Sequence, residues 1–304
     1  MKSSWFLACQ GTASHLISLS LKVGILLNPQ KPGGLKTMLA LRMALEERGC
    51  ECILDRNTAD MAGESGGVPA ADFSELVDLA AVLGGDGTMM HAVSRFGKFE
   101  KPVAGINIGN LGFLTSCTDA DVERFADAVT QGRYSICPRV LLEATVIRPN
   151  GATLVYHALN EVTMARGETG RLVTLKAVVN GEWLNRYRAD GLIIATPTGS
   201  TAYSLSAGGP LISPTSSVVV ITPICPHSLS QRSLVLSDDS VFEISPERAD
   251  DGPMLFTVDG RDTTRIDPGD RVVVKKSDRR FNLLQMEGTS FYEALRQKLG
   301  WQSV

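Results

Sequence analysis

The sequence has few of the residues from which proteins build transition-metal sites, and none of them in a suitable pattern. Its six cysteines are scattered, with only Cys50 and Cys52 close together, and none of its four histidines stands in metal-ligand spacing. We therefore expect ordinary reduced cysteines and no transition-metal site made of protein side chains.

A surplus of positive charge and a long apolar run are also missing. The 30 basic and 33 acidic residues leave a formal charge of −3, which argues against duplex nucleic acid as a partner. The apolar stretch at residues 5–9 is shorter than a signal-peptide core, roughly 7–15 residues, or a membrane span, about 20. We therefore expect a cytoplasmic protein without a membrane span, in which residues 1–21 form an extension before the first domain.

What the chain of 304 residues does contain is enough apolar material, 43% of its residues, for two domains of ordinary size. Between residues 22 and 137, short apolar runs such as 23–27 and 79–83 alternate with segments of helical periodicity. Strands separated by helices predict a parallel sheet covered on both faces, which is a Rossmann-like α/β domain. Residues 57–71, which contain three glycines, are predicted to form a mobile loop.

From residue 138 the pattern changes to short strands separated by turn residues. Strand-forming runs meet across Pro149-Asn150-Gly151 and across Asn180-Gly181, and both are hairpin signals. The recurrence of such strands predicts an all-β, sandwich-like domain over residues 138–289. A helix predicted at about residues 290–304 is expected to pack back on the first domain, residues 22–137.

The sharpest local signal is Gly84-Gly85-Asp86-Gly87-Thr88, which follows a predicted buried strand and opens a predicted helix. Such a turn lets the backbone approach a phosphate closely, and the free N–H groups of a helix start favour an anion. The alternative is a tight turn in which Asp86 only caps the helix. In a phosphate cradle its carboxylate would repel the ligand, so Asp86 is predicted either to hold a cation or to take a proton from an attacking hydroxyl.

Two further segments carry polar residues. Residues 107–114 follow the next strand and form a turn rich in asparagine and glycine, which alone is a weak signal. Residues 190–210 combine a buried-strand run with many hydroxyl side chains and Tyr203. A Ser/Thr-rich linker would not contain such a strand. The hydroxyls are suited to surround a purine or a ribose, and Tyr203 offers a stacking face.

Taken in order, these segments resemble the NAD kinases, specifically the bacterial type, over about residues 22–300. The glycine loop alone is also found in diacylglycerol and sphingosine kinases, so a lipid or sugar kinase is one alternative, and a non-catalytic NAD-binding module is another. The segments that carry the resemblance are Gly84-Gly85-Asp86-Gly87-Thr88, residues 107–115, Leu159-Asn160-Glu161 and residues 190–210, with residues 226–229 and 257–260 where the family has similar segments.

The resemblance implies transfer of a phosphoryl group from ATP or polyphosphate to the 2′-hydroxyl of the adenosine ribose of NAD. It further implies a need for a divalent cation such as Mg²⁺ and a homodimeric or homotetrameric assembly. By the same resemblance Asp86 is the general base, with Gly87 and His91 beside it. Asn160 and Glu161 are implied to bind the riboses and phosphates of NAD.

Two more groups of residues are implied by the resemblance to contact the dinucleotide. Arg171, Arg188 and Asp190 match positions that do so in part from a neighbouring subunit. The adenosine pocket is expected to be lined by Thr201, Ala202, Tyr203, Ser204, Leu205 and Ser206.

Two positions depart from the commonest pattern of the family. Cys225 stands where a small residue approaches the adenine, and Arg261 stands where many members carry Gln or His. Arg261 either adds a phosphate contact or is simply solvated, and the sequence leaves both open.

Overall fold

The first part of the chain forms four parallel strands connected through helices. The computed structural model describes residues 20–97, 100–167, 170–248 and 251–301. The parallel strands, in the spatial order β4-β3-β1-β2, are β1 (Lys22–Leu27), β2 (Glu51–Leu54), β3 (Leu79–Leu83) and β4 (Val103–Asn107). The helices of this part are α1 (Gly34–Glu46), α2 (Arg56–Ala62), α3 (Phe73–Leu76), α4 (Asp86–Phe96) and α5 (Val122–Thr130), and the two-residue strand β5 (Cys117–Thr118) pairs with β4.

Both faces of the parallel sheet are covered, as the side chains of β3 show. Its odd-numbered residues lie in one buried cluster with residues of α1 and α5. Its even-numbered residues lie in a second cluster with residues of α4. Because successive strand residues point to opposite faces, every residue of β3 is buried. The predicted α/β architecture is confirmed.

The loop predicted at residues 57–71 is wrong in its first part, because helix α2 occupies Arg56–Ala62. The Asp55 side chain caps this helix by accepting the Thr58 N–H at 3.1 Å, and it also pairs with Arg95 at 2.9 Å. Gly63, with φ of +71°, ends the helix in the left-handed conformation. The glycines therefore mark the end of a helix, and the N-cap signal of Asp55 was overlooked.

The second part of the chain is a sandwich of two sheets. A six-stranded antiparallel sheet, in the order β13-β12-β11-β8-β15-β16, faces part of an eleven-stranded sheet. Alternate side chains of both sheets fill one buried cluster between them, so the predicted sandwich-like architecture is confirmed. Its strands are β6 (Tyr134–Ile147), β7 (Thr153–Ala158), β8 (Glu161–Arg166), β9 (Val173–Val179), β10 (Glu182–Ala189), β11 (Gly191–Ala195), β12 (Val218–Ile224), β13 (Leu234–Ser237), β14 (Phe242–Pro246), β15 (Met254–Val258), β16 (Asp262–Ile266) and β17 (Arg271–Met286).

Two long antiparallel strands, β6 and β17, connect the two parts. The beginning of β17 pairs with β14 in the sandwich, and its end pairs in parallel with β4, where Leu283 lies opposite Val103. The eleven-stranded sheet therefore runs through both parts in the order β10-β9-β14-β17-β4-β3-β1-β2, with β5 paired to β4, β6 paired to β17 and β7 paired to β6. The division into domains at residues 22–137 and 138–289 stays a prediction.

The last helix, α7 (Phe291–Leu299), begins after Ser290, whose hydroxyl accepts the Tyr292 N–H at 3.2 Å. The Phe291 ring lies 6.2 Å from that of Phe113, so α7 contacts the turn that follows β4. The predicted extension at residues 1–21 falls almost entirely outside the described residues. No helix within the described part of the chain is both long enough and apolar enough to span a membrane.

Candidate functional site

The Gly-Gly-Asp-Gly loop lies between β3 and α4 in a shape that requires glycine. Gly84 has a φ of +151°, and a Cβ at this position would lie only 2.7 Å from the Cβ of Thr88. The Thr88 hydroxyl accepts a hydrogen bond at 3.0 Å from the Asn28 amide, directly after β1. The loop is thus fixed at the carboxyl ends of adjacent strands, where open α/β sheets bind ligands.

The Asp86 carboxylate does not cap its own helix but joins the loop to the turn after β4. Its Oδ2 accepts the Phe113 N–H at 3.0 Å, and its Oδ1 accepts the Leu114 N–H at 2.9 Å. Gly112 allows this approach, since a Cβ there would lie 2.8 Å from the Asp86 Cγ. The two turns that the sequence singled out separately therefore form one site.

Asp259 holds the Asn160–Glu161 pair in place. Its carboxylate accepts the backbone N–H groups of Leu159, Asn160 and Glu161 at 2.9, 2.8 and 3.0 Å. The Glu161 side chain is buried, with 6% of its surface exposed, and it accepts the Tyr203 N–H. Its Oε2 has no hydrogen-bond partner within the described part of the chain, which leaves this oxygen available to a ligand.

The Glu161 carboxyl is largely neutral at physiological pH. Burial, which disfavours the charged form, raises its pKa to about 8, and the nearby negative charge of Asp259 adds to the rise. Burial also raises the pKa of Asp259, while the three backbone N–H groups it accepts and Arg261 lower it. A neutral Glu161 both donates and accepts hydrogen bonds, as a ribose hydroxyl requires.

The segment at residues 190–210 packs directly on this pair. The N–H of Thr196 donates to the Asn160 carbonyl at 2.8 Å, and its hydroxyl donates to the Leu159 carbonyl at 2.6 Å. A Cβ at Gly199 would lie 2.7 Å from the Asn160 Cα, so only glycine allows this contact. Beyond a short 3-10 turn, α6 (Tyr203–Ser206) presents the Tyr203 side chain with 45% of its surface exposed.

Comparisons with known proteins cover both parts of the fold. Residues 23–134 match the family model of the ATP-NAD kinase N-terminal domain, and residues 159–286 match that of the ATP-NAD kinase C-terminal domain. The NAD kinase of Caldanaerobacter subterraneus is 38% identical over 281 residues, which are 91% of this chain and 98% of the relative. The NAD kinase of Chlorobium luteolum is 41% identical over 281 residues, 92% and 97% of the two chains.

The chain belongs to the NAD kinase family.

Two solved structures of kinases of this kind share the fold. A crystal structure of yeast NADH kinase complexed with NADH superimposes with a TM-score of 0.86 at 28% identity, covering 94% of this chain and 89% of that one. A crystal structure of an NAD kinase from Archaeoglobus fulgidus in complex with ATP has a TM-score of 0.68 at 23% identity, covering 94% and 100%. The second likeness shows the fold alone.

A cavity of about 540 Å³ opens beside the start of α4, and we call it the α4 cavity. His91 is exposed on α4 and borders this cavity, and its pKa is lowered by partial burial and then by the charges of Arg261 and Arg95. The loop and three cationic side chains share the lining, which includes Gly85, Gly87, Thr88, Lys31, Arg95 and Arg261 together with Asn28 and residues of β1, β3 and α4.

The remaining residues implied by the family resemblance lie on the sandwich. Asp190 forms an ion pair with Arg166, with 2.7 Å between Nε and Oδ1. Arg171 and Arg188 are exposed, and no contact among the described residues connects their side chains to Asp86 or Glu161. Their part in the site stays a prediction.

Three residues near the site were missed or left without a role by the sequence. The sequence gives no role to Asn28, names Asp259 only within a family-like segment, and leaves the role of Arg261 open. The signal for Asp259 was available, because an Asp-Gly pair directly after a strand marks a hairpin turn. Arg261 donates a guanidinium hydrogen bond to the Gly87 carbonyl.

The described residues near the glycine loop offer only a few oxygen ligands for the divalent cation that the family resemblance implies. Among the described residues no group of three or more His, Cys, Asp or Glu side chains is arranged to hold a metal ion. The glycine loop offers the Asp86 carboxylate, and the end of β4 offers the Asn107 amide oxygen, which faces Gly85. Mg²⁺ is commonly bound by one or two protein oxygens together with substrate phosphates and water, so the few oxygens present suit a cation bound with its phosphate ligand.

The raised pKa of Glu161 gives a stability prediction. Below about pH 4.5 the carboxyl is neutral in both the folded and the unfolded state. As the pH rises toward 8 only the unfolded state ionises, so stability is lost over this window. Glu161→Gln does not titrate, and its unfolding midpoint should exceed that of the wild type by at least about 2 °C at pH 8 and by little at pH 5. Thermal unfolding across this range measures the difference.

The exposed Glu182 provides a matched control for this experiment. Glu182→Gln should track the wild type at every pH, because water already solvates its carboxylate. An offset between Glu161→Gln and wild type that stays constant from pH 5 to pH 8 would show that burial does not hold Glu161 neutral.

Proposed function

We propose that this chain phosphorylates the 2′-hydroxyl of the adenosine ribose of NAD to give NADP, with Asp86 as the general base. The observation that carries the proposal is the Asp86 carboxylate, which is held by two backbone N–H groups and stands between Gly85 and Gly87, both of which line the α4 cavity. Each oxygen accepts one hydrogen bond and retains a lone pair, so the group is oriented before substrate arrives. Membership of the NAD kinase family supports NAD as the acceptor.

The phosphates of ATP or polyphosphate would bind at the start of α4, where free N–H groups and the glycine loop favour an anion. The Asn107 amide oxygen, together with water and the phosphates themselves, would hold the Mg²⁺ that accompanies these phosphates, and the ion would neutralise part of their charge. The cationic side chains of the α4 cavity add to this neutralisation. The matches to the ATP-NAD kinase family models agree with a nucleotide donor.

NAD would lie against the Asn160–Glu161 pair and α6. The free Oε2 of the neutral Glu161 carboxyl can exchange hydrogen bonds with a ribose hydroxyl, and Tyr203 can stack on the adenine. Thr201, Ala202, Ser204, Leu205 and Ser206 would complete the adenosine pocket, whose existence is supported by the NADH bound to the yeast neighbour.

In the reaction, Asp86 accepts the proton of the 2′-hydroxyl while that oxygen attacks the terminal phosphorus of the donor. The bond from this phosphorus to its bridging oxygen breaks, and with ATP the leaving group is ADP. Positioning and charge neutralisation supply most of the catalysis in such transfers. We further propose a cytoplasmic homodimer or homotetramer in which Arg171, Arg188 and Asp190 contact NAD, in part across a subunit interface.

A coupled assay for NADP formation tests this function. The purified chain is incubated with NAD, Mg²⁺ and, in parallel, ATP, GTP or polyphosphate. NADP should form with at least one donor, and an NADH reaction run beside it compares the two acceptors. If no donor yields NADP while a lipid or sugar acceptor is phosphorylated, the rival kinase assignment replaces this one.

A further inference from the structure

Arg261 belongs to a tight turn whose position is fixed by the site itself. The turn joins β15 to β16 and is closed by the Arg261 N–H, which donates to the Val258 carbonyl at 2.9 Å. Asp259 and Gly260 both have positive φ, +49° and +66°, as the central residues of a tight hairpin turn do. The Asp259 carboxylate accepts hydrogen bonds from the three backbone N–H groups of residues 159–161. The turn therefore has little freedom to move.

From this fixed turn the Arg261 side chain reaches the glycine loop of the other part of the fold. Its Nη2 donates to the Gly87 carbonyl, and a Cβ on Gly87 would lie 3.9 Å from that nitrogen. A guanidinium has five N–H donors in a planar fork. One bond to Gly87 therefore anchors the group beside the start of α4 and leaves donors for an anion.

The positively charged side chains that line the α4 cavity, Lys31, Arg95 and Arg261, favour the binding of an anion with several negative charges. Arg95 is paired with Asp55 at 2.9 Å. Lys31 and Arg261, in contrast, have no carboxylate within ion-pair distance among the residues that the structure describes. Both line the same cavity as Gly85, Gly87 and Thr88. Two cations without a carboxylate at ion-pair distance, placed beside a helix start, provide strong attraction for a chain of phosphates.

We propose that Arg261 binds the phosphate chain of the phosphoryl donor and thereby sets the affinity for the donor. The ligand chemistry is an oligophosphate, which ATP and inorganic polyphosphate share. The proposal rests on the proposed function of the site, since a donor must enter the α4 cavity. Asp259, two residues earlier in the same turn, holds the acceptor-side pair, so one rigid turn positions contacts to both substrates.

The experiment compares Arg261→Gln and Arg261→Lys with the wild type in steady-state kinetics. The KM for ATP and for polyphosphate should rise about 10–100-fold in Arg261→Gln, the range for losing a charge-assisted hydrogen-bonded contact. Arg261→Lys keeps the positive charge but lacks the planar fork of donors, so its KM for the donor should lie between those of the wild type and Arg261→Gln. The KM for NAD should stay within about 3-fold, because the backbone of the turn and Asp259 are unchanged.

Arg265→Gln is the matched control. Arg265 lies on β16 of the same hairpin and pairs with Asp267 at 2.8 Å, with 67% of its side chain exposed. Its loss should leave both KM values unchanged. A donor KM within 2-fold of wild type in Arg261→Gln, or an equal rise in the KM for NAD, overturns the proposal.

Calorimetry without turnover separates this proposal from the proposed function. A non-hydrolysable ATP analogue and inorganic tripolyphosphate, each with Mg²⁺, should bind Arg261→Gln more weakly than the wild type by a similar factor. A loss confined to the ATP analogue would mean that Arg261 contacts the nucleoside, which contradicts the proposal. Wild-type protein that binds both probes but makes no NADP would contradict the proposed function, and weaker binding by Arg261→Gln would then still support the contact of Arg261 with the oligophosphate.

Discussion

Replacing Asp86 with asparagine should lower the turnover number for NADP formation about 10²–10⁴-fold, the range for losing a general base. The affinity for NAD should change only several-fold, because the proposed NAD contacts lie on Asn160, Glu161 and α6. Asparagine has nearly the same size, but its amide nitrogen cannot accept either of the N–H groups that now bind the carboxylate. Steady-state kinetics and NAD calorimetry on the same preparation measure the two effects.

Asp119→Asn controls for the lost backbone contact. The Asp119 carboxylate also accepts a backbone N–H of the turn after β4, that of Gly109 at 3.3 Å, but it is exposed and outside the glycine loop. This variant should keep near-normal turnover. Near-normal turnover in Asp86→Asn would instead show that positioning and charge neutralisation account for the rate without a base at this position.

Gly112→Ala should lower turnover about 10²-fold, the order expected when a reacting group is misplaced by roughly 1 Å. The Gly112 φ lies outside the left-handed region, so alanine is tolerated by the backbone. Its Cβ would nevertheless lie 2.8 Å from the Asp86 Cγ and 3.0 Å from Oδ2. The carboxylate must therefore shift away from the Phe113 and Leu114 N–H groups.

A double-mutant cycle decides whether Gly112 acts through Asp86. Each single variant is compared with the double variant Gly112→Ala, Asp86→Asn in turnover and in thermal unfolding. Strong non-additivity in turnover is expected, because the base is already lost in the Asp86 background. If Gly112→Ala lowers turnover by the same factor in both backgrounds, its effect is a general structural one and Gly112 does not position the carboxylate.

The two glycine turns illustrate what sequence reasoning can reach. Their positions follow from the local sequence, since each glycine-rich segment stands directly after an apolar run of strand length. Their adjacency follows from topology, because the carboxyl ends of neighbouring parallel strands meet at one edge of the sheet. Their direct connection through Asp86 was not foreseen. The carboxylate binds N–H groups 27 and 28 residues away, and no local pattern identifies such a partner.

Contacts between segments far apart in the chain were less accessible to sequence reasoning still. Asp259 binds backbone groups 98 to 100 residues earlier in the chain, at the start of β8, which pairs with β15, the strand just before Asp259. Arg261 binds a carbonyl 174 residues earlier, in the other part of the fold, and the strand pattern specifies neither contact. The wrong loop prediction at residues 57–62 has a local cause, since the three nearby glycines were given more weight than the helix cap at Asp55.

By itself the sequence determined that an α/β part is followed by an all-β part and that a glycine turn suited to binding phosphate contains an acidic residue. It also determined the ordered motifs that resemble those of NAD kinases. Periodicity and turn chemistry are local properties, so they are legible in a single chain. Only the tertiary structure decided that Asp86 is held by the next turn, that burial keeps Glu161 neutral, and that Arg261 lies at the glycine loop. Each of these depends on which distant segments pack together, because a side chain's charge and orientation are set by neighbours that the linear order does not reveal.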